Sequence, residues 1–169
     1  MMFGTGDVQG YSSRVEYAKN LIKGSNTRLF VGPELAFESG TKNPKVHDPT
    51  FEEFAGTTFY HISNTVLSAK ASFYPFRRVI PGFCLTAASS AGYSASSTEQ
   101  AASLEPYGYE VVRRSILSFD NGFVYGYRVG GGYDLEIGNK CSAGILLELH
   151  HYNNGDFNSF WGANIAWRF

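Results

Sequence analysis

The last eleven residues of the chain, Ser159–Phe169, alternate strictly between two kinds of side chain. One face carries Trp161, Ala163, Ile165, Trp167 and Phe169, and the other carries Phe160, Gly162, Asn164, Ala166 and Arg168. Such alternation is typical of a β-strand with one face in an apolar medium and the other in a polar medium. The pattern therefore predicts a strand over Phe157–Phe169 that ends on an aromatic carboxyl terminus.

The same two-residue period recurs along the rest of the chain and predicts six further strands. They are Ser12–Ile22, Thr27–Ser39, Thr57–Tyr74, Gly82–Ala95, Phe123–Ile137 and Lys140–Tyr152. The first is the weakest of these, because Val15–Ile22 also fits a short helix. Pro33 has no amide donor, which favours a bulge or an edge within the second. Gly138–Asn139 is a strong hairpin signal between the last two.

An odd number of strands leaves the count open, because single-chain bacterial barrels have an even number. In the interpretation that we favour, the first strand is missing or reduced to residues 1–10, which hold three glycines and are poor strand material. Residues 1–11 are then a tail or a remnant, residues 12–169 form the barrel domain, and the natural gene encodes a signal peptide and one more strand upstream. In the alternative, Glu110–Phe119 is the extra strand and turns back through Asp120–Gly122.

The favoured count also predicts where turns and loops lie. Short turns are expected at Lys23–Asn26, Pro75–Pro81 and Gly138–Asn139. The polar stretches at about 40–56 and 96–121 are expected to be long external loops, where a protein or glycan partner would bind.

Composition agrees with β-structure and limits the classes of function. The 169 residues suit one domain, and 43% are hydrophobic, 17% charged and 16% aromatic. A net charge of −1 argues against a nucleic-acid partner, which requires a basic face. No apolar run approaches the roughly 18 residues of a spanning helix, whereas a barrel strand needs only about 9–11 alternating residues.

Most charged residues lie on the face opposite to the aliphatic and aromatic ones. An eight-stranded barrel is just wide enough to be filled by side chains, so charges of both signs can pair inside it. A charge against lipid costs about 2–4 kcal/mol at the bilayer midplane. We therefore predict a lumen plugged by salt bridges, with Arg128 and Arg168 within reach of acidic partners. The predicted network comprises Arg28, Glu34, Lys70, Arg128, Asp134, Glu136, Glu148 and Arg168.

Several segments resemble the Bacteroidetes-type small outer-membrane β-barrel proteins, which are similar in shape to the OmpA transmembrane domain. The resemblance rests on Tyr74-Pro-Phe-Arg-Arg-Val-Ile-Pro-Gly-Phe83, Gly92-Tyr93, Gly132-Tyr133, Arg14-Val-Glu-Tyr-Ala-Lys19 and Trp167-Arg-Phe169. It implies an all-β, antiparallel, up-and-down transmembrane barrel of eight strands in the bacterial outer membrane. It further implies contact with outer-membrane lipids and lipopolysaccharide, and insertion by the barrel-assembly machinery with Trp167 and Phe169 as the terminal signal.

A competing interpretation is a soluble, lipocalin-like barrel with the apolar face inside and a small apolar ligand bound there. Aromatic residues near the predicted strand ends favour the membrane barrel, because aromatic girdles occupy both membrane interfaces. These residues are Tyr74, Phe76, Phe83, Trp167 and Phe169.

His61 and Ser63 share one strand face near its outer end, as a nucleophile and its base would. The run His61-Ile-Ser-Asn64 resembles that of the outer-membrane lipid A deacylase PagL, which implies a lipid-modifying hydrolase. The following residues on that face are uncharged, so no carboxylate is placed to orient His61. We therefore favour a polar rim and a structural, adhesion or accessory role without enzymatic activity.

The remaining chemistry-bearing residues predict no cofactor or metal. His150 and His151 point to opposite faces of one strand and are not expected to share a metal ion. Gly130–Gly132 lacks the Lys-Ser/Thr of a phosphate loop, and we expect it where curvature or bulky lumen neighbours leave no room for a side chain. Cys84 and Cys141 lie on opposite faces of non-neighbouring strands, so no disulfide is expected.

Overall fold

The computed structural model describes residues 2–6, 9–24, 26–42, 59–107, 110–137, 140–153 and 157–167. These residues form nine β-strands, and none of them belongs to a helix that could cross a membrane. The strands are β1 Met2–Gly6, β2 Gln9–Glu16, β3 Lys19–Lys23, β4 Arg28–Lys42, β5 Phe59–Tyr74, β6 Phe83–Tyr107, β7 Glu110–Ile137, β8 Cys141–Tyr152 and β9 Phe157–Trp167.

Eight of the strands close into an antiparallel barrel. Neighbours in sequence pair in space from β4 to β9, β9 pairs with β1, β1 with β2, and β2 with β4. The ninth strand, β3, pairs with the beginning of β4. The predicted all-β, antiparallel, up-and-down barrel is therefore confirmed.

The strands β2 and β3 lie end to end along β4. Glu16 pairs with Glu34, and Lys19 pairs with Val31 in the same register. Between these two pairs, the ladder is interrupted only at Tyr17 and Ala18. The interruption lies opposite Pro33, whose carbonyl accepts the Tyr17 amide at 3.0 Å. Pro33 cannot donate a backbone hydrogen bond to Tyr17 in exchange, because proline has no N–H. The expected irregularity at Pro33 is present, and the short-helix alternative for Val15–Ile22 is wrong.

The eighth barrel strand comes from the amino-terminal residues. β1 pairs with Gly10–Ser12 of β2 on one side and with Asn158–Gly162 of β9 on the other. The expectation that residues 1–10 make poor strand material is wrong for Met2–Gly6, because pairing on both sides outweighs weak intrinsic propensity. Because β1 closes the barrel between β2 and β9, the first strand is the reduced one within residues 1–10, and the expectation that it is missing is wrong.

Residues 96–107 and 110–121 form a ribbon of two paired strands, which corrects two expectations. β6 and β7 pair from Phe83↔Tyr133 to Tyr107↔Glu110, with one register shift between Ala102 and Leu104. No external loop occupies 96–107 or 110–121, and the alternative with a turn at Asp120–Gly122 is also wrong, since β7 passes straight through it. The polar composition suggested a loop, but pairing between β6 and β7 satisfies the backbone groups along the ribbon. Of the other expected loop, Gly40–Lys42 belongs to β4 and residues 43–56 lie outside the described residues.

The two ends of the barrel differ. At the end that we name the turn end, Pro75–Gly82 joins β5 to β6, and its Arg77 amide donates to Asn26 O at 2.9 Å. Gly82 closes this turn with a φ of 95°, which glycine adopts without strain. At the opposite end, the loop end, the β6–β7 ribbon projects beyond the other strands. The predicted turn at Pro75–Pro81 is confirmed, whereas Gly138–Asn139 lies outside the described residues.

Within the barrel wall, even-numbered residues of β1, β2 and β4 to β9 face inward and odd-numbered residues face outward. Two small apolar clusters lie inside, one of Ala36, Val66, Val124 and Tyr152 and one of Met2, Leu146 and Phe160. Ile62 and Ala88 are also buried, and most other buried side chains of the interior are charged or polar. The inverted arrangement, with an apolar interior, is not observed among the described residues.

Inward-facing glycines make room where strands approach closely. A Cβ on Gly130 would lie 2.4 Å from Leu147 O and 2.6 Å from Glu148 Cγ, and one on Gly132 would lie 2.4 Å from Ile145 O. The outward-facing Gly131 has no atom nearer than 3.5 Å to such a Cβ. The steric role predicted for Gly130–Gly132 is therefore confirmed for its two inward members.

Candidate functional site: the charged lumen

A network of ion pairs fills the middle of the barrel. Four of the eight residues predicted for it are buried: Glu34, Lys70, Arg128 and Glu148, each at most 7% exposed. They project from β4, β5, β7 and β8, one from each strand. The two-residue period of each strand turns its position inward. The backbone ladder on both sides of each strand fixes where the charged groups meet.

Arg128 and Lys70 share Glu34. The Arg128 guanidinium pairs with Glu34 Oε1 and lies 3.7 Å from Glu148 Oε2. Lys70 Nζ lies 3.2 Å from Glu34 Oε2 and 2.9 Å from Glu16 Oε2. Each oxygen of Glu34 therefore faces a different cation, as a fully buried carboxylate requires to offset its lost hydration.

Glu148 lies opposite, across the lumen. Its Oε2 pairs with the Arg14 guanidinium, which also packs over the Phe160 ring at 5.8 Å. Its Oε1 accepts a hydrogen bond from the Thr86 hydroxyl at 3.2 Å. Glu34 and Glu148 are thus tied together through Arg128, and the pairs form one connected group rather than separate bridges.

His150 extends the group toward the loop end. Its side chain is fully buried; Nε2 lies 3.3 Å from Glu148 Oε2 and Nδ1 lies 3.1 Å from Glu38 Oε1. The Tyr152 hydroxyl donates to Glu38 Oε2 at 3.0 Å. Glu148, His150 and Tyr152 are successive inward positions of β8 and form a polar column along that strand.

The turn end carries a separate, more exposed set of charges. Glu136 Oε1 lies 3.7 Å from Arg28 and 3.2 Å from Arg77, and its side chain is 46% exposed. The Tyr74 hydroxyl donates to Asp134 Oδ2. Of the predicted network, Arg28 and Asp134 are therefore half-buried, Glu136 belongs to the rim, and Arg168 lies outside the described residues. Tyr74 points inward, which corrects its assignment to an aromatic girdle.

Sequence reasoning missed Arg14, Glu16, His150 and Tyr152 as members of the network. The alternation did contain a signal for them. Each lies an even number of positions from an inward-facing residue of the same strand, and therefore faces inward as well. Arg14 and Glu16 follow Ser12 at steps of two, and His150 and Tyr152 follow Glu148 in the same way. The alternation does not predict which of these residues pair, since Arg14 and Glu148 are 134 positions apart in the chain.

His61 and Ser63 lie on the outward face near the loop end. His61 is exposed and its Nε2 lies 3.5 Å from Ser39 Oγ, while the Ser63 hydroxyl donates to Ala95 O at 3.5 Å. The two residues share a face, as predicted, but each contacts another residue and not its expected catalytic partner. Neither contact is with a carboxylate.

Metal-binding and disulfide geometry are also defined for the described residues. Among them, no three His, Cys, Asp or Glu side chains are grouped as a metal site would require. Cys84 is buried inside, Cys141 faces outward, and both are free thiols. The prediction that these cysteines are not joined is confirmed.

Comparison of the chain with protein-family models, with curated proteins and with solved structures finds no match. The site geometry therefore carries the functional argument.

Proposed function

We propose that the protein is an integral outer-membrane β-barrel whose charged lumen is a structural plug. The distribution of charge between the two barrel faces carries this proposal. On β4 to β9, the outward positions whose side chains are described include no Asp, Glu, Lys or Arg. The interior of the same strands holds Glu34, Glu38, Lys70, Arg128 and Glu148. This is the arrangement that a lipid environment favours and that water disfavours.

The exposed apolar surface supports the same proposal. Thirty large apolar side chains of the described residues are exposed, whereas a soluble monomer rarely shows a contiguous apolar patch of more than a few hundred Å². Leu35, Leu67, Val129, Leu147 and Leu149 form an aliphatic zone around the middle of the barrel. Lipid tails would cover this zone without cost.

Aromatic rings flank the aliphatic zone on its loop-end side. Tyr11 packs on Phe37 with ring centroids 6.4 Å apart, and Tyr127 on His151 at 5.4 Å, whereas Trp161 is level with its partner Leu147. On the turn-end side, Phe73, Phe76 and Trp167 are exposed. Two aromatic zones around an aliphatic one are typical of barrels that meet both membrane interfaces.

The proposed role is structural, adhesive or accessory, without solute passage. Side chains joined by ion pairs occupy the centre of the lumen, which in an eight-stranded barrel leaves no aqueous channel. The projecting β6–β7 ribbon and the other connections at the loop end are the surfaces from which a partner outside the cell would be contacted. The sequence resemblance to small outer-membrane barrels supports the same location.

A charge placed on the outward face tests the proposal. Leu147 is 56% exposed at mid-barrel, so Leu147→Arg should cost about 2–4 kcal/mol in a bilayer and sharply reduce folding into vesicles. Val79→Arg is the matched control, because Val79 is 77% exposed but lies in the turn beyond the barrel wall. Folding is measured by heat-modifiable migration on gels and by co-flotation with vesicles. Equal folding of both variants, or a wild-type protein that stays in the aqueous phase, would contradict a membrane location.

A further inference from the structure

One edge of the projecting ribbon has no strand beside it among the described residues. β8 accompanies β7 only as far as Gly126. The Tyr125 carbonyl then accepts the Asn153 amide at 2.9 Å, and the Tyr125 amide donates to Asn153 Oδ1 at 3.0 Å. Beyond this point, no described residue pairs with β7 on this side over 110–124. Since backbone groups alternate in direction along a strand, those of the odd-numbered residues point to this edge, as those of Tyr125 do.

The edge of β7 is open to a further strand. An unpaired strand edge is a template for another strand, and proteins usually interrupt such an edge. The opposite edge of the ribbon is interrupted, since β6 shifts register between Ala102 and Leu104 and carries Pro106, which has no amide donor. β7 contains no proline over 110–123, and the extra residue of the register shift lies in β6.

Apolar side chains line the open edge outside the aromatic zone of the barrel. Leu117 and Phe119 are 60% and 76% exposed. Phe119 lies eight residues beyond Tyr127 of the loop-end aromatic zone, or about 26 Å along the strand at roughly 3.3 Å per residue. In the proposed location, lipid tails do not extend this far beyond the aromatic zone. Exposed apolar side chains beside an open strand edge are typical of a surface that binds another protein.

We infer that this edge pairs with the same edge of a second copy of the chain, antiparallel and about a two-fold axis at Leu117. In such a pair the corresponding faces of both copies lie on one side of the joint sheet, so an odd-numbered residue always meets an odd-numbered one. The axis at Leu117 places Asp120 of each copy directly opposite Arg114 of the other. Opposite charges across an antiparallel pair attract. Moving the axis by one residue in either direction places an apolar residue opposite Asp120 instead.

The same register satisfies the backbone of the open edge. In the single chain, the Asn121 amide donates to the carboxylate of its neighbour, with Asp120 Oδ1 at 2.8 Å. In the paired edges this amide donates to the Arg113 carbonyl of the second copy, and the carboxylate is released toward Arg114. Leu117 meets its own copy at the axis, and Phe119 lies diagonally across from the copied Leu117, so the exposed apolar side chains cover one another.

Antiparallel pairing points the two barrels in opposite directions. Two barrels inserted in one membrane with the same orientation cannot pair in this way, because both ribbons then project on the same side and in parallel. The pairing therefore joins barrels in two facing membranes, with one ribbon from each. This last step rests on the proposed outer-membrane location and makes the adhesive role specific, whereas the pairing of the two edges does not depend on it.

Cysteine cross-linking between vesicles tests the pairing. Leu117→Cys is introduced together with Cys141→Ser and folded into two vesicle populations, one with a tagged chain, which are mixed and oxidised with copper phenanthroline. The expected product is a disulfide-linked dimer of one tagged and one untagged chain, since opposite residues of a hydrogen-bonded pair have Cα atoms about 5.5 Å apart. Phe123→Cys is the matched control, because Phe123 is 67% exposed on the same strand but would lie roughly 40 Å from its copy.

Exchange of the charges tests the register. Asp120→Arg should lower the yield of the Leu117→Cys dimer about tenfold, because two attractive pairs become repulsive, and adding Arg114→Asp should restore it. Co-flotation reports insertion separately: chains that insert but cross-link no better through position 117 than through position 123 would overturn the inference. Chains that fail to insert would contradict the proposed location instead, and the same comparison in detergent micelles then decides whether the edges pair.

Discussion

Arg128→Met is the sharpest test of whether buried ion pairs hold this barrel together. Arg128 is 1% exposed and lies between Glu34 and Glu148. Methionine fills much of the same volume but removes the charge, which leaves both carboxylates with fewer partners. Removing one member of a buried pair typically costs about 3–5 kcal/mol. We expect a loss near 3 kcal/mol, because Glu34 keeps Lys70 at 3.2 Å and Glu148 keeps Arg14.

The matched control is Arg77→Met at the turn end. The Arg77 and Glu136 side chains are 31% and 46% exposed, and exposed pairs contribute about 1 kcal/mol at most. Reversible urea unfolding, followed by the fluorescence of Trp161 and Trp167, measures both variants in the same vesicles. Adding Glu34→Gln to Arg128→Met should recover part of the loss, because the unpaired charge is removed with its partner. If Arg128→Met loses no more stability than Arg77→Met, the reasoning about the lumen is refuted.

Two further predictions follow from packing inside the barrel. Gly130→Ala should destabilise the fold by about 1–3 kcal/mol, because its Cβ would lie 2.4 Å from Leu147 O, whereas Gly131→Ala, with nothing nearer than 3.5 Å, should be tolerated in the same unfolding assay. Equal midpoints would contradict the close approach of β7 and β8. Wild-type protein in planar bilayers should show no steady channel, since Lys70, Arg128 and Glu148 occupy the lumen; a stable conductance, with a porin as positive control, would argue against a plug.

The two-residue period predicted which residues face inward because strand geometry alone decides it. Glu34, Lys70, Arg128 and Glu148 were assigned to the lumen without knowledge of any partner, and the structure buries them there. Partners across the lumen depend on the stagger of all eight strands, which no local pattern encodes. The inward orientation of Arg14 could therefore be predicted from the sequence, but its pairing with Glu148 could not.

Composition gave wrong predictions for two segments whose structure is decided by pairing with neighbouring strands. The polar composition of residues 96–121 predicts a loop, yet pairing between β6 and β7 satisfies the backbone groups of 96–107 and 110–121. Met2–Gly6 was expected to be poor strand material, yet two neighbours with free edges stabilise it there. In both segments, pairing with neighbouring strands outweighs the intrinsic strand propensity of the residues, as is common in β-structure.

The projecting ribbon gives the loop end a fixed reach. The described part of β5 accompanies β6 as far as Phe59↔Glu99, and beyond this level β6 and β7 pair with each other to Tyr107 and Glu110. At about 3.3 Å per residue, the eight residues Gln100–Tyr107 extend the ribbon by roughly 26 Å. The ladder of this arm shifts register between Ala102 and Leu104, where a bulge bends and twists the strand, and a paired arm loses less ordering entropy on contact than a free loop of the same length would lose.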